Sequence, residues 1–317
     1  MQGQPAKPAP VYKEAPFFKR LAIDFQKHKY KYLLILPIIV YLILFCYKPM
    51  YGLVIAFKNY RPTRGIWGSN WVGFLWFETF FKDPYFWRLL RNTFTISGLT
   101  ILFGFPAPII LALLLNEVRS NKFKRTVQTI TYMPYFISLV VTCSLLKIYC
   151  MENGLFPQIM ELFGAQRQNL LANPKYFYPI YILSDIWQGI GWNSIIYLAA
   201  LSGIDQEQYE AARIDGANRL QQVIHITLPG LMPTITILFI LRMGNILNVG
   251  YEKILLLYNP STYEVADVLS TYTYRTGLEN QQYSLSTAVG LFNTMVNVVF
   301  LLITNYISKK STESGLF

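Results

Sequence analysis

Charge is scarce in this chain. Of 317 residues, 14% are Asp, Glu, Lys or Arg and 53% are apolar. A soluble domain carries about a quarter charged residues, so the composition points to a protein with several membrane spans. Histidine is scarcer: His28 and His225 stand far apart, which argues against a histidine metal centre or a His-based triad. The three cysteines, Cys46, Cys143 and Cys150, lie in or at the ends of apolar runs without ligand spacing. They read as inert buried residues. No Gly is followed by Lys. The GxxxxGK[ST] phosphate loop is therefore absent, and the chain is not expected to hydrolyse ATP. No cofactor or metal is expected on it. A membrane-embedded enzyme would need a paired acid/base or metal constellation, and none is visible. The net charge is +11, but Lys and Arg sit mostly between apolar runs. They mark topology rather than a nucleic-acid surface.

Six apolar stretches are present: 32–47 (running on toward Phe57), 93–115, 126–148, 177–201, 229–249 and 286–307. The expected fold class is all-α and polytopic. Pro106 and Pro108 should kink the second stretch and Pro134 the third. Residues 1–31 place Phe17, Phe18, Leu21 and Phe25 at helical spacing among Lys13, Lys19, Arg20 and Lys27. This predicts an amphipathic surface helix, with a disordered tail as the alternative. No small-residue cleavage site follows 32–47, which reads as an uncleaved first helix. Residues 32–91 add an external aromatic segment to it, 92–307 form the core, and 308–317 a cytoplasmic tail. With both ends cytoplasmic, inside segments hold fifteen Lys and Arg and outside segments eleven. The loop with Arg119, Lys122, Lys124 and Arg125 and the N-terminus set the sign.

The stretch Gln208–Pro233 organises the rest. Asp205 can cap a helix with Gln208 completing a capping box. Gly216 interrupts that helix, and Leu220, Val223, Ile224 and Thr227 give a second short helix one apolar face. Pro229 is expected to turn Leu228 away from helical angles and open a new helix. The string Glu210-Ala211-Ala212, Asp215-Gly216-Ala217 and Leu228-Pro229 resembles the EAA loop of ABC importer permeases. Where that family usually has Phe, this chain has Val223. The loop, 202–228, would lie in the cytoplasm.

The segment with Trp71-Val72-Gly73-Phe74 and Asp83-Pro84-Tyr85-Phe86-Trp87, Leu90 and Asn92-Thr93 resembles the carbohydrate-uptake branch of these permeases. The whole chain resembles the subgroup that imports complex or acidic oligosaccharides of pectin or alginate type. The resemblance implies the type I importer fold with a cytoplasmic coupling helix in a bacterial inner membrane. It implies a second permease, two ATPase subunits carrying ATP and Mg²⁺, an external solute-binding protein and an oligosaccharide substrate. A self-contained secondary transporter or channel is the alternative. That class needs inverted repeats or its own coupling carboxylates, and Asp185 is the one acid within a predicted span.

Polar residues within spans usually face a cavity or a partner. Asp185, Gln188 and Trp192 share a face of span four. Arg242 and Asn245 share one of span five, while Ser286, Gly290, Asn293 and Asn297 line span six. Tyr251 stands close by. Asp185 lies ~12 Å from the outer end of its span and Arg242 ~10 Å from the outer face, by helical rise and core thickness. The two either pair with each other or line a substrate path. Small and amide residues also glue membrane helices together.

Overall fold

The structure, a computed structural model, describes residues 17–312 and 315–316. The expected role of Lys13 lies outside the described residues. The chain divides into two compact units, Met1–Val54 and Ile55–Phe317. In the first unit the expected surface helix and first span are one element, Phe17–Tyr41, kinked at His28 (φ −121°, ψ 26°).

Among the described residues, four helical runs are long and apolar enough to cross a membrane: Ile23–Phe57, Phe86–Glu117, Arg219–Met243 and Tyr283–Lys310. A fifth candidate is a broken pair, Asn121–Phe136 and Leu139–Cys150, bent by 96°. In place of a kink at Pro134, the chain makes a near right angle at Ile137–Ser138, just past the turn Met133–Phe136 that holds Pro134. The expected fourth span is the helix Pro174–Leu201. It falls outside the apolar set because Asp185, Gln188, Asn193 and other polar residues dilute it. The one departure from an all-helical chain among the described residues is a two-residue ladder, Lys58–Asn59 against Asn70–Trp71. The expected segment boundary at residue 91 falls within the helix Phe86–Leu99.

Three of the prolines inside these runs share one solution. Proline lacks an N–H and its ring strikes the carbonyl four residues back. A π turn, with its wider i→i+5 spacing, makes room. Leu42–Tyr47, Thr100–Gly104 and Val223–Thr227 are π turns, followed two residues later by Pro49, Pro106 and Pro229. Leu228 consequently keeps helical angles (φ −67°, ψ −46°). The expected break before Pro229 does not occur, and Arg219–Met243 is one continuous run.

Three apolar clusters hold the second unit together. One centres on Phe177, Tyr181, Ile254 and Val268, another on Phe80, Leu89, Leu247 and Leu269. The third joins Ile109 and Ala112 to Tyr197, Leu201 and Leu231. Polar bonds tie the aromatic segment to the 251–285 segment. The buried Asn92 amide donates to the carbonyls of Glu264 and Asp267, both at 2.9 Å. The Tyr272 hydroxyl donates to Asp83 at 2.6 Å. Arg275 grips the buried Asp267 carboxylate at 2.8 and 3.3 Å.

Gly191 permits the closest helix approach: a Cβ there would stand 2.1 Å from the Thr131 carbonyl oxygen. Backbone cannot yield as a side chain can. Gly191→Ala should therefore cost about 1–3 kcal/mol through overpacking. Gly98→Ala, where a Cβ meets nothing within 4 Å, should be neutral or slightly stabilising. Thermal melts of the two purified variants check the contrast.

Candidate functional site

The helix Leu228–Met243 stops at Gly244, and the chain runs unwound to Gly250 before Tyr251–Leu257 begins. Buried backbone without helical partners must find others. Here it does. The Ser97 hydroxyl donates to the Ile246 carbonyl. Leu247 N–H donates to Asn297 Oδ1 at 2.9 Å. The Ser270 hydroxyl donates to the Val249 carbonyl at 3.0 Å.

Side-chain amides form a chain along the same segment. Asn297 donates to Asn293 (3.3 Å), Asn293 to Asn248 (3.1 Å) and Asn248 to Asn245 (3.1 Å). Asn245 closes it on the Leu241 carbonyl at 3.1 Å. Three of the expected path residues thus knit two helices together, through an Asn248 that pattern reasoning did not single out.

Two adjoining cavities flank the unwound segment. One, of about 390 Å³, is lined by Ser97, Tyr181, Asp185, Arg242, Asn248, Tyr251 and Lys253 among others. The other, of about 580 Å³, includes Gly189, Trp192, Asn193 and Tyr197. Thr100, Asp185, Arg242 and Asn245 belong to both.

Asp185 and Arg242 do meet at one cavity, as their matched depths imply, but they are not the ion pair. Asp185 binds Lys253, Oδ1 to Nζ, at 3.3 Å. The Lys253 side chain is 4% exposed. Its ammonium also donates to the Tyr181 carbonyl at 3.1 Å and lies 4.7 Å from the Tyr181 ring centre. Burial lowers its pKa, and the Asp185 carboxylate works against that shift. Among the described residues Arg242 has no salt bridge, and it is exposed to the cavities. Glu252 also lines the smaller one and accepts the Tyr251 hydroxyl at 3.4 Å.

Gln188 and Trp192 brace the broken helix pair. The Gln188 amide donates to the Ile137 carbonyl at 3.1 Å, at the break itself. Trp192 stacks on Tyr135 with centroids 4.6 Å apart and an interplanar angle of 6°. Trp192 retains one side on the larger cavity.

The 202–228 loop is built from two caps. Gln206–Ile214 is a helix whose N-cap, Asp205, accepts from Glu207 N–H, so the expected box with Gln208 does not form. At its end Gly216 takes φ +80°. Ala217 N–H then bonds the Ala212 carbonyl at 2.9 Å and Gly216 N–H the Arg213 carbonyl at 3.1 Å. That is a Schellman cap. It explains the spacing of Ala212, Gly216 and Ala217, and Asp215 is the C-cap. Asn218 follows at once with a capping box to Gln221. Glu210, Ala211 and Asp215 are exposed, as are Ile214 (87%) and Leu220 (68%). These last two large apolar side chains in a polar stretch are the signal the motif alone did not highlight. The Tyr209 hydroxyl shares a 3.0 Å bond with Thr227, and Arg219 reaches Glu117 at 3.6 Å.

The Lys253–Asp185 pair generates a test. Asp185→Asn leaves a buried ammonium without its carboxylate, a loss of about 1–3 kcal/mol. A lysine whose folded pKa lies below its unfolded value penalises folding below that folded pKa, and the penalty fades as pH rises toward the unfolded value. Asp185→Asn should therefore melt below the wild type at neutral pH, with the gap closing toward pH ~10, near the ordinary lysine value. Asp185→Asn with Lys253→Met should melt near the wild type throughout. Thermal melts across pH measure all three.

Residues 104–313 match the model of the binding-protein-dependent transport system inner membrane component family. The polygalacturonan/rhamnogalacturonan transport system permease protein YteP of Bacillus subtilis (strain 168) is 45% identical over 314 residues, spanning 99% of this chain and 98% of its own. Protein LplB of the same organism is 44% identical, with 92% of each chain covered. A bacterial alginate ABC transporter, crystallised with an alginate pentasaccharide-bound periplasmic protein, contains a chain of the same fold. It matches with a TM-score of 0.86 and 44% identity over 94% of this chain and 100% of that one. A second structure, of a transporter that imports the acidic polysaccharide alginate, gives 0.85 and 44%, covering 92% and 99%. The chain is a multi-pass membrane protein of the binding-protein-dependent transport system inner membrane component family, a permease of a binding-protein-dependent ABC importer.

Proposed function

We propose that this permease forms, with a second homologous permease, the membrane path of an importer for oligosaccharides that carry carboxylates. The observation that carries the acidic preference is Arg242. Lys253 occupies Asp185, so the Arg242 guanidinium faces two adjoining cavities without an ion pair. Its planar fork matches a sugar carboxylate bidentately. The amides and the Trp192 and Tyr251 rings beside it suit sugar hydroxyls and ring faces. Relatives named for polygalacturonan and for the acidic polysaccharide alginate support the same class.

The rest of the assembly follows from the same reading. The four apolar runs, the broken pair and Pro174–Leu201 make six spans, with both ends in the cytoplasm. Two ATPase subunits hold ATP and Mg²⁺ and receive the exposed Glu210, Ile214 and Leu220 on the 202–228 loop. Leu228-Pro229 joins that loop to the fifth span. An external solute-binding protein delivers substrate at the aromatic segment and 251–285. Membrane lipid covers the outer apolar faces.

Two measurements test this. A charge-assisted hydrogen bond is worth about 1.5–3 kcal/mol, so Arg242→Ala should cut uptake of acidic oligosaccharides about tenfold or more. Uptake of neutral ones and the yield of assembled importer should stay near wild type. Equal loss for both substrate classes would sink the acidic preference. For coupling, proline holds φ near about −65° and cannot take the +80° of Gly216. Gly216→Pro and Glu210→Lys should each abolish substrate-stimulated ATP hydrolysis while the subunit still inserts. Normal transport by both would remove the loop from coupling.

A further inference from the structure

A third cavity, of about 680 Å³, lies against the last helix and the 251–285 segment. We propose that it is an outer subsite for an uncharged face of the oligosaccharide, taking sugar units beyond the one that reaches Arg242. The inference rests on the oligosaccharide reading above. Its volume lies in the ~300–1,000 Å³ range of small-molecule sites.

The chemistry of the wall argues for sugar. Tyr60, Tyr251, Tyr274 and Tyr283 contribute rings, Thr273 and Thr287 hydroxyls, and none of the lining residues is charged. Tyr251 stacks on Tyr274 at 5.8 Å and 27°, while Tyr60 meets Tyr283 edge-on at 6.0 Å. These contacts hold the rings in place. The hydroxyls of Tyr60, Tyr274 and Tyr283 have no protein hydrogen-bond partner among the described residues. A lipid chain seated here would leave them unsatisfied, a cost of about 1–3 kcal/mol each by protein mutational data. A sugar presents both apolar ring faces and hydroxyls, and satisfies both.

Continuity supplies the second argument. Tyr251 lines this cavity and also the one that holds Arg242. Asn293 lines it too, and its amide donates to Asn248 on the wall of that inner cavity. An oligomer lying across Tyr251 would place one unit against Arg242 and the next among the tyrosines.

Gly290 allows a clean test. It lines the cavity, and a Cβ there meets nothing within 4 Å. An indole attached there starts without a backbone clash and should take up part of the cavity. The importer is reconstituted with its partner subunits in liposomes. ATP-driven uptake is then measured for galacturonate oligomers from dimer to hexamer, with neutral oligomers of the same lengths in parallel. Gly290→Trp should lower the hexamer-to-dimer uptake ratio about tenfold, equivalent to about 1.4 kcal/mol. The double variant Tyr274→Phe, Tyr283→Phe keeps the rings, removes two hydroxyls and should lower the ratio by a smaller factor. An unchanged ratio, or equal loss at every length as expected if a partner helix or lipid covers the face, would overturn the subsite. If Gly290→Trp fails to assemble, the tyrosine pair decides by the same criterion. The neutral series keeps the length test valid if the acidic preference itself fails.

Discussion

The Lys253 ammonium sets the charge that the cavity presents. An isolated buried cation is costly, and this one is offset three times: by the Tyr181 carbonyl, the Tyr181 ring and the Asp185 carboxylate. The geometry commits Asp185. Its carboxylate is nearly half exposed and lines both cavities, so without Lys253 it would be the natural partner for Arg242. The lysine therefore acts on a residue it does not touch, since engaging the one acid of Pro174–Leu201 leaves the arginine of Leu228–Met243 open. The proposed acidic preference therefore rests on a packing interaction as much as on the arginine.

A second constraint comes from the unwound segment Gly244–Gly250. Irregular backbone that is buried needs partners other than its own helix. Ser97, Asn297 and Ser270 each take one backbone group. The amide chain from Asn297 to Asn245 then fixes the segment against the last helix. Small and amide residues act both as glue and as cavity wall because the same groups face both ways. Asn245 bonds the Leu241 carbonyl on one side and lines both cavities on the other.

What was legible in the sequence follows from range. Gly216 and the alanines around it form a cap within six residues, so their string announces the turn. The apolar runs are likewise local. Lys253 was not legible. It lies 68 residues from Asp185, outside the six apolar stretches. Only the packing of Tyr251–Leu257 under Tyr181 buries it. Gln188 and Trp192 share a helix face with Asp185, as periodicity implies. Periodicity carries no information on the broken helix pair that comes to meet them at Ile137 and Tyr135. Proline misled for a related reason. A lone Pro229 predicts a boundary, but the π turn that absorbs it has no sequence signature of its own.

That absorbed proline has a mechanical consequence. Arg219–Met243 is 25 residues without a break, ~37 Å at the α-helical rise. Its first residues belong to the second helix of the 202–228 loop and its last turn carries Arg242. Arg219 reaches Glu117 at the end of Phe86–Glu117, and Thr227 bonds Tyr209 of the helix Gln206–Ile214. A push on the loop therefore reaches two helical runs together. Had the chain broken before Pro229, the loop could swing alone. As one helical run, with these two contacts near its start and the amide chain past its end, it joins the loop to the arginine, the unwound segment and the shared cavity wall. The 202–228 loop and the cavities that Arg242 lines stand at two ends of one helical run, and the π turn at Val223–Thr227 is what lets a proline sit between them.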